Sequence, residues 1–435
     1  MTNLTATPNP TATSPAPTPR KRRLRLVIIA VVVLVVLGIA WQLVGRREAP
    51  AQGTPQAVEL SGAELSADLT GATVLAVGEA THGTAEFREV WLEVTKKVVG
   101  QGFTTIAWEE SAGNMARVDA WVQGGEGEVE DALAAFGYRL NRTQETANLL
   151  TWLREYNAAQ PEAMRVHLFG YDHQRPEAER DVALAWLETI DPGTASQLRE
   201  ELVAVTTDTY YDAPASYRDA AQRLSEAVLT AAEGSQNEGS DAVGRIHAVL
   251  AASALARGVN VSADGNTPAQ RDAAMADQLF DLVAMRGEQG GEHTLALGHN
   301  GHLDRVGDAT GVDGATLGEH AVTKWGEEYR VIGTDARRVV LSDAGSEYSF
   351  TVSSPVRGLF EGTRLGYLEM AQASASNRTV LDQEMPMPSA GAGFSQLNAT
   401  IPSQHTVHVT PAKSWDALVF VEETHAVTPW GDVRR

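Results

Sequence analysis

The stretch Ala72-Thr-Val-Leu-Ala-Val-Gly78, running directly into Glu79-Ala-Thr-His82-Gly83, decides how this chain is read. An apolar run of strand length that ends in an acid, a histidine and a glycine has the form of a buried strand followed by a polar loop. The form recurs three times. Thr104-Thr-Ile-Ala-Trp108 leads into Glu109-Glu110-Ser111, Arg165-Val-His-Leu-Phe169 into Gly170-Tyr171-Asp172-His173, and His293-Thr-Leu-Ala-Leu-Gly298 into His299-Asn300-Gly301-His302. In an open parallel sheet the loops at the carboxyl ends of the strands share one crevice. Four strands of common direction therefore bring these acids and histidines together, although His302 lies more than 200 residues beyond Glu79. One such loop alone reads equally well as a helix cap; the recurrence argues for a shared site.

Working outward, Phe87, Val90, Trp91, Val94 and Val98 fall at helical spacing, with Glu86, Arg88, Glu89, Glu93, Lys96 and Lys97 on the other face. This predicts a surface helix beginning just beyond Gly83 and packed on the sheet. From about 112 to 290 helical patterns dominate, over 143–159, 177–190, 195–205, 215–232, 241–257 and 268–286. They form a helical insertion that walls the crevice, and Trp152, Tyr210 and Tyr211 read as core or wall packing rather than specific ligand contacts. Beyond Gly326 the runs shorten to strand length again (Tyr329–Ile332, Arg338–Leu341, Tyr348–Val352 and Ala417–Val421), separated by long loops, one of which holds Met385-Pro-Met-Pro388. The fold class is α/β, with a mostly parallel central sheet and a large helical insertion.

The chain lacks cysteine, which removes thiol nucleophiles, thiolate ligands and disulfides and leaves oxygen and imidazole for any chemistry. Serine-hydrolase elbows, zincin helices, phosphate loops and dinucleotide fingerprints are also absent from the sequence. The residues suit ester hydrolysis by activated water, with His82 as the base and Glu79 or Glu109 fixing its tautomer. His299, His302 or Arg271 then donate to the carbonyl oxygen. Two alternatives stand beside this. Glu79, His82, Glu109, His299 and His302 are also a set able to bind zinc or manganese for metal-dependent hydrolysis, and the same cleft would serve a non-enzymatic metal or haem carrier at the cell surface. No cofactor is required by the first reading; a divalent metal is compatible with the second.

The string Gly78-Glu-Ala-Thr-His-Gly-Thr-Ala-Glu-Phe87 resembles the opening motif of the erythromycin esterase family. The resemblance extends in order through Trp108-Glu109, Gly170-Tyr171-Asp172, Arg271-Asp272-Ala-Ala-Met275, His299-Asn300-Gly301-His302, Tyr329–Gly333 and Trp415–Phe420, roughly residues 60–425. It implies an α/β core with helical additions and a cleft where histidine and glutamate hydrolyse a macrolide lactone without a serine nucleophile. By motif, Glu79, His82, Glu109, His299 and His302 match the catalytic acids and bases, and Arg271, Asp172 and Glu110 are candidate substrate-binding residues. Whether Glu109 or Glu110 faces the cleft is open in the sequence. Gln278 stands where the family often has Asn.

The first 58 residues are organised differently. Residues 1–25 form a Thr/Pro/Ala-rich tail ending in Arg20-Lys21-Arg22-Arg23-Leu24-Arg25, expected to be disordered and cytoplasmic. Residues 26–44 are an almost wholly apolar run long enough to cross a hydrocarbon layer of roughly 30 Å. Five basic residues precede the run and two, Arg46 and Arg47, follow it, so the body is placed outside the cell membrane on an uncleaved single-pass anchor. Residues 45–58 read as a linker and 59–435 as the hydrolase domain. The formal charge is −21 overall; residues 1–50 carry seven Lys/Arg and the single acid Glu48, so the remainder carries −27. So acidic a body excludes nucleic-acid partners and favours a neutral or cationic small-molecule ester.

Overall fold

Both neighbours of each central strand are parallel to it, and this turns the four polar strand ends to one side. The computed structural model describes residues 51–234, 241–265, 267–310 and 313–431; the tail and apolar run within residues 1–50 lie outside the described residues. The strands are β1 (Val58–Glu59), β2 (Val74–Glu79), β3 (Phe103–Ser111), β4 (His167–Asp172), β5 (His293–His299), β6 (Tyr329–Asp343), β7 (Ser346–Thr351), β8 (Gly366–Glu369), β9 (Met385–Pro388), β10 (Thr406–Val409) and β11 (Ala417–Glu423). Among the described residues the main sheet has the order β1-β8-β11-β6-β2-β5-β3-β4, with β7 hairpinned on β6. From β11 to β4 all pairs are parallel, whereas β8, β1 and β7 join antiparallel at the flanks.

Alternation explains the continuous apolar runs. Leu75 and Val77 point to one face, packed with Val90, Trp91 and Val94 of the Ala85–Val98 helix, while Val74 and Ala76 point to the other, packed with Met275 and Leu279. A parallel sheet covered on both faces has no polar side to show in its strands. The helical insertion forms its own apolar cluster, in which the Pro176–Glu188, Pro192–Leu202, Ala215–Gly234 and Ala242–Ala263 helices bury Leu184, Leu198, Leu224 and Leu255. Among the described residues one helix, Ala242–Ala263, is long and apolar enough to cross a membrane. About 78% of its most apolar window is buried inside the protein, which makes it a core helix.

Four expectations are corrected. Tyr329–Ile332 and Arg338–Leu341 are one continuous strand, because the intervening Thr334 and Asp335 are fully buried and Thr334 Oγ1 accepts the Ala80 N–H at 2.8 Å. Met385–Pro388 is a strand paired with β10 rather than a loop. Within the linker, Gln52, Gln56 and Ala57 donate backbone N–H groups to Pro355 and Leu359 at 2.9 Å, so this end is docked on the body. Glu86 and Arg88 are buried rather than on a solvated face.

β3 and β4 meet through a bulge. Trp108 pairs with Gly170 and Ser111 with Asp172, so three steps on β3 match two on β4. Gly170 sits where the bulged chain passes; a Cβ there would lie 2.3 Å from Glu110 O and 2.5 Å from Ser111 O. Gly170→Ala is therefore expected to destabilise the fold by about 1–3 kcal/mol, as overpacking does. Gly62→Ala, where a Cβ meets nothing within 4 Å, should be near neutral. Urea unfolding of both variants checks the contrast.

Candidate active site

β2 ends at Glu79, and the chain turns through Ala80–Gly83 before Thr84 caps the Ala85–Val98 helix. In that turn the His82 Nδ1–H donates to Glu79 Oε1 at 2.7 Å. The other ring nitrogen, Nε2, carries the lone pair, and no described residue hydrogen-bonds it. Arg88, one helical turn in, donates from Nη2 to the same carboxylate oxygen at 3.0 Å. Its guanidinium lies 4.1 Å over the Trp91 ring, and Trp91 meets Trp108 edge to face at 5.2 Å. Such an aromatic pair adds about 0.5–1.5 kcal/mol beyond its buried area. Burial holds Arg88 below its ordinary value, with Glu79 opposing the shift.

The β3 bulge separates Glu109 from Glu110. Glu109 lines the cleft, whereas Glu110 turns away from it. The Glu110 carboxylate accepts from Ser111 N (2.9 Å), Asn114 Nδ2 (3.2 Å), Tyr138 N (3.2 Å) and Asn141 Nδ2 (3.2 Å), and burial pushes its carboxyl up. It anchors the 138–141 segment, its oxygens are spent on protein donors, and it is not among the residues that line the cleft. Glu109 Oε2 accepts the His299 N–H at 2.7 Å, and Oε1 lies 3.1 Å from Arg271 Nη2 and 3.3 Å from His302 Nε2. Burial would raise this carboxyl, but His302 and then Arg271 hold it well below the usual carboxylate range.

Arg271 comes from the Pro268–Gly287 helix, whose start is fixed by a Thr267/Gln270 capping box. Asp172 accepts from its Nε at 3.3 Å and its Nη2 at 2.7 Å, and from the Tyr138 hydroxyl at 2.6 Å. Asp172 is fully buried and does not line the cleft; Arg271, outweighing burial, holds it down to about 2. Its oxygens hold the Arg271 guanidinium in place. Gln278, further along this helix, donates to Leu250 O at 2.7 Å and ties two helices together. His302 Nδ1–H donates to Asp272 Oδ1 at 2.8 Å. Burial opposes protonation of this ring, but Glu109 and Asp272 prevail and push it up to about 10. As an imidazolium it turns Nε2–H to Glu109, and Arg271 Nη1 at 3.1 Å is then a like-charge neighbour.

His299 sits between the two halves, 5.0 Å from His82 and 6.3 Å from His302 by ring centroids. Its Nε2–H donates to Ala80 O at 3.0 Å and its Nδ1 accepts the Gly301 N–H at 3.1 Å. Burial and the neighbouring His82 hold it down to about 3, so the ring is neutral. With both nitrogens committed, His299 has nothing to offer a carbonyl or a metal. Among the described residues no group of three His, Asp or Glu side chains is placed to hold a metal ion, and the guanidinium groups of Arg88 and Arg271 stand against the carboxylates such a site would use.

These side chains surround a cavity of about 290 Å³ lined by Glu79, His82, Arg88, Glu109, Arg271, His299 and His302 together with Trp91, Trp108, Tyr138, Leu140, Asn141, Gln174, Gly391 and Ala392. Trp152 and Tyr210 are elsewhere. Trp152 stacks on Tyr156 at 5.3 Å, and Tyr210 is buried against His173 in the helical cluster; the side chain of Tyr211 lies outside the described residues. Sequence reasoning missed Arg88, Asp272, Tyr138 and the Gly391–Ala392 segment. For Arg88 the signal was its place three residues before Trp91 on a helix that follows His82.

The sequence profile of the family described as Erythromycin esterase matches residues 98–424. Glu109, Asp172, Arg271, His299 and His302 fall inside that span, with Glu79 and His82 just ahead of it. A Bacillus cereus protein of known structure is similar at 20% identity, covering 87% of this chain and 96% of that one with a TM-score of 0.69. A succinoglycan biosynthesis protein follows at 17% identity, with the same coverage and a TM-score of 0.68. A point mutant of the erythromycin esterase EreC, in its open conformation, is similar at 15% identity over 83% of this chain and 94% of its own, with a TM-score of 0.57. At these identities the likeness concerns the fold.

The His302 network makes a pH-dependent contribution. A histidine held at about 10 against 6.5 unfolded adds stability that is fully present below about 6.5 and is lost as pH rises through the folded value. The stability lost on His302→Gln is expected to be largest near pH 6 and to shrink towards pH 10. Urea unfolding of parent and variant across that range measures it; a pH-independent difference would mean that the ring is not charged.

Proposed function

Because the chain belongs to the erythromycin esterase family, we propose that it is a hydrolase cleaving a carboxylic ester with water activated by His82. The observation that carries this reading is the Glu79–His82 pair, with Nδ1 committed to a buried carboxylate and Nε2 uncommitted in a cleft. Nε2 takes a proton from water as the water oxygen attacks the ester carbonyl carbon. The carbonyl π pair moves to oxygen, and Glu79 offsets the charge on the imidazolium. Collapse re-forms the C=O bond and breaks the bond to the alcohol oxygen, which takes the proton back from His82. Arg271 and the charged His302 supply positive potential in the wall against which the oxyanion forms. Glu109 holds that pair in place.

The substrate class we propose is a macrolide-type lactone or a similarly large neutral-to-cationic ester. A body of −27 formal charge repels polyanions and weakly attracts a protonated amino sugar, an effect screened by salt beyond roughly 8–10 Å. The cavity of about 290 Å³ admits the ester and its immediate flanks, leaving the rest of a macrocycle over the rim formed by Leu140, Gly391 and Ala392. An open conformation is named for EreC, and the same widening is part of the proposal here. The proposal also keeps the apolar run 26–44 as a single-pass anchor, with the N-terminus cytoplasmic and the hydrolase domain extracytoplasmic.

His82→Ala is expected to lower kcat by about 10²–10⁴-fold or more with the fold intact, because it removes both the base and the group that orients water. Glu79→Gln should be similarly severe. Incubation of the full-length protein with a panel of macrolides and simple esters, followed by mass spectrometry, should show gain of one water on a lactone. Cleavage of short anionic esters alone would overturn the substrate class, and unchanged rates in His82→Ala would overturn the base.

For topology, protease added to intact cells should degrade the body. Protection until lysis would reverse the orientation.

A further inference from the structure

Ester hydrolysis, the reading on which this inference rests, places negative charge on the carbonyl oxygen and needs N–H or O–H donors aimed at it. The cationic side chains of the cleft are committed elsewhere. Arg271 gives Nε and Nη2 to Asp172 and Glu109, and its Nη1 faces the charged His302 ring. His302 is held between Asp272 and Glu109. Arg88 gives Nη2 to Glu79, and its unpartnered Nε and Nη1 are fully buried. Apart from Arg271 Nη1, these groups set a field without offering the oxyanion a directed hydrogen bond.

One main-chain segment on the cavity wall keeps N–H groups without a partner among the described residues. In Ser389-Ala-Gly-Ala-Gly-Phe394 both ends are tied down. The Ser389 N–H donates to His405 O at 3.0 Å, and the Phe394 N–H to the Asp343 carboxylate. Ala390 forms a parallel bridge with Thr81: its N–H donates to Ala80 O at 3.2 Å, and its carbonyl accepts the His82 N–H at 2.9 Å. The next two N–H groups, of Gly391 and Ala392, have no hydrogen-bond partner among the described residues, and both residues line the cavity with His82. A Cβ on Gly391 would meet nothing within 4 Å, so glycine here keeps the approach open rather than relieving a packing clash.

We propose that the main-chain N–H groups of Gly391 and Ala392 are the oxyanion donors of the hydrolysis. Ala390 is hydrogen-bonded to the backbone of His82 itself, so the donors that follow it and the base stay in fixed register. As water attacks, its proton goes to His82 Nε2 and the carbonyl π pair goes to the oxygen facing these two N–H groups. When the alcohol leaves, the pair returns to the carbonyl and the donors are released. Neutral donors hold the developing charge without adding another cation to a cleft that already contains Arg88, Arg271 and His302.

The test removes the N–H groups one at a time in the full-length protein. Gly391→Pro and Ala392→Pro are expected to lose about 10²–10³-fold in kcat on 4-nitrophenyl acetate, with KM little changed. Gly391→Ala and Ala392→Gly, which keep the N–H, should lose far less in kcat than the matching proline variants. Because a proline can unfold the segment, a second measurement uses the unaltered protein labelled with ¹⁵N-glycine and ¹⁵N-alanine. Methylphosphonate, a tetrahedral oxyanion mimic, should shift the Gly391 and Ala392 amide protons downfield. Folded proline variants with parental kcat, or amides that stay unmoved while other cleft signals shift, would overturn the assignment and leave the hydrolase reading intact. Downfield shifts in a protein that cleaves no ester would support the donor pair as an oxyanion site and overturn the hydrolase reading instead.

Discussion

The carboxylate of Glu109 cannot be removed from water without cations around it, and much of the cleft follows from that requirement. An isolated buried carboxylate costs several kcal/mol, and breaking a buried pair by removing one partner typically costs about 3–5 kcal/mol. Glu109 meets the demand with Arg271 and His302, and with the N–H of His299 at the end of β5. Each cation then needs its own anion: Asp172 for Arg271 and Asp272 for His302. The result is an alternating row, Asp172, Arg271, Glu109, His302 and Asp272, that joins β4, β3, the Pro268–Gly287 helix and the loop after β5. No member can move without stranding a neighbour's charge. The row explains why the helical insertion, though it has its own core, ends in a helix locked to the sheet.

The two halves of the cleft divide their tasks accordingly. On the Glu109 side all the charges are paired and the geometry is fixed. On the Glu79 side one histidine nitrogen is free and the carboxylate supports it from behind, with Arg88 sharing the same oxygen. His299 separates them. Its ring is kept neutral by burial, and its two nitrogens are occupied by main-chain groups, so it brings no further charge between two rings that approach it closely. A saturated network beside a single open base suits proton transfer better than metal binding, where several open lone pairs must converge.

The sheet was legible in the sequence because strands covered on both faces must be apolar throughout, and because the polar residues at their carboxyl ends stand out against that background. The antiparallel flanks β1 and β8 were not, since two and four residues are too short to show a period. The direction of Glu109 against Glu110 was decided by a bulge, a backbone irregularity with no residue signature of its own. Arg88 looked like part of a solvated face because a charged residue on a helix normally is one; only the packing of Trp91 and Trp108 beneath it reveals that it points inward. His299 and Asp172 were recognised as members of the site, but whether a side chain touches substrate or holds another residue depends on the fate of each nitrogen or oxygen, which spacing along the chain does not encode. For Trp152 and Tyr210 the sequence left core and wall packing open, and the structure packs both into the protein's apolar clusters.

The turn that carries the base is braced from several directions, and this bears on where substrate selection must lie. Gly83 has φ of 72°, and a Cβ there would lie 2.0 Å from Ser342 O, so only glycine permits the close approach that the turn makes to β6. Its carbonyl accepts N–H groups from Ser342 at 2.9 Å and Val427 at 3.0 Å, the next-but-one residue Ala85 donates to His425 O at 2.9 Å, and His82 donates to Ala390 O. β6, the C-terminal segment and the chain after β9 thus converge on four consecutive residues, 82–85. If His82 acts as the proposed base, such bracing keeps it placed for attack and lowers the entropic part of the barrier, but it leaves the turn unable to adapt to substrates of different shape. Adaptation has to come from the parts of the cleft mouth that are not tied to this turn, such as the half-buried Leu140 and Gln174. The fold therefore places its rigid, charge-locked elements under the reacting bond and leaves side chains free to vary where the body of a substrate would enter. Changes of specificity within this architecture should accordingly arise at the rim without disturbing the acid and histidine floor.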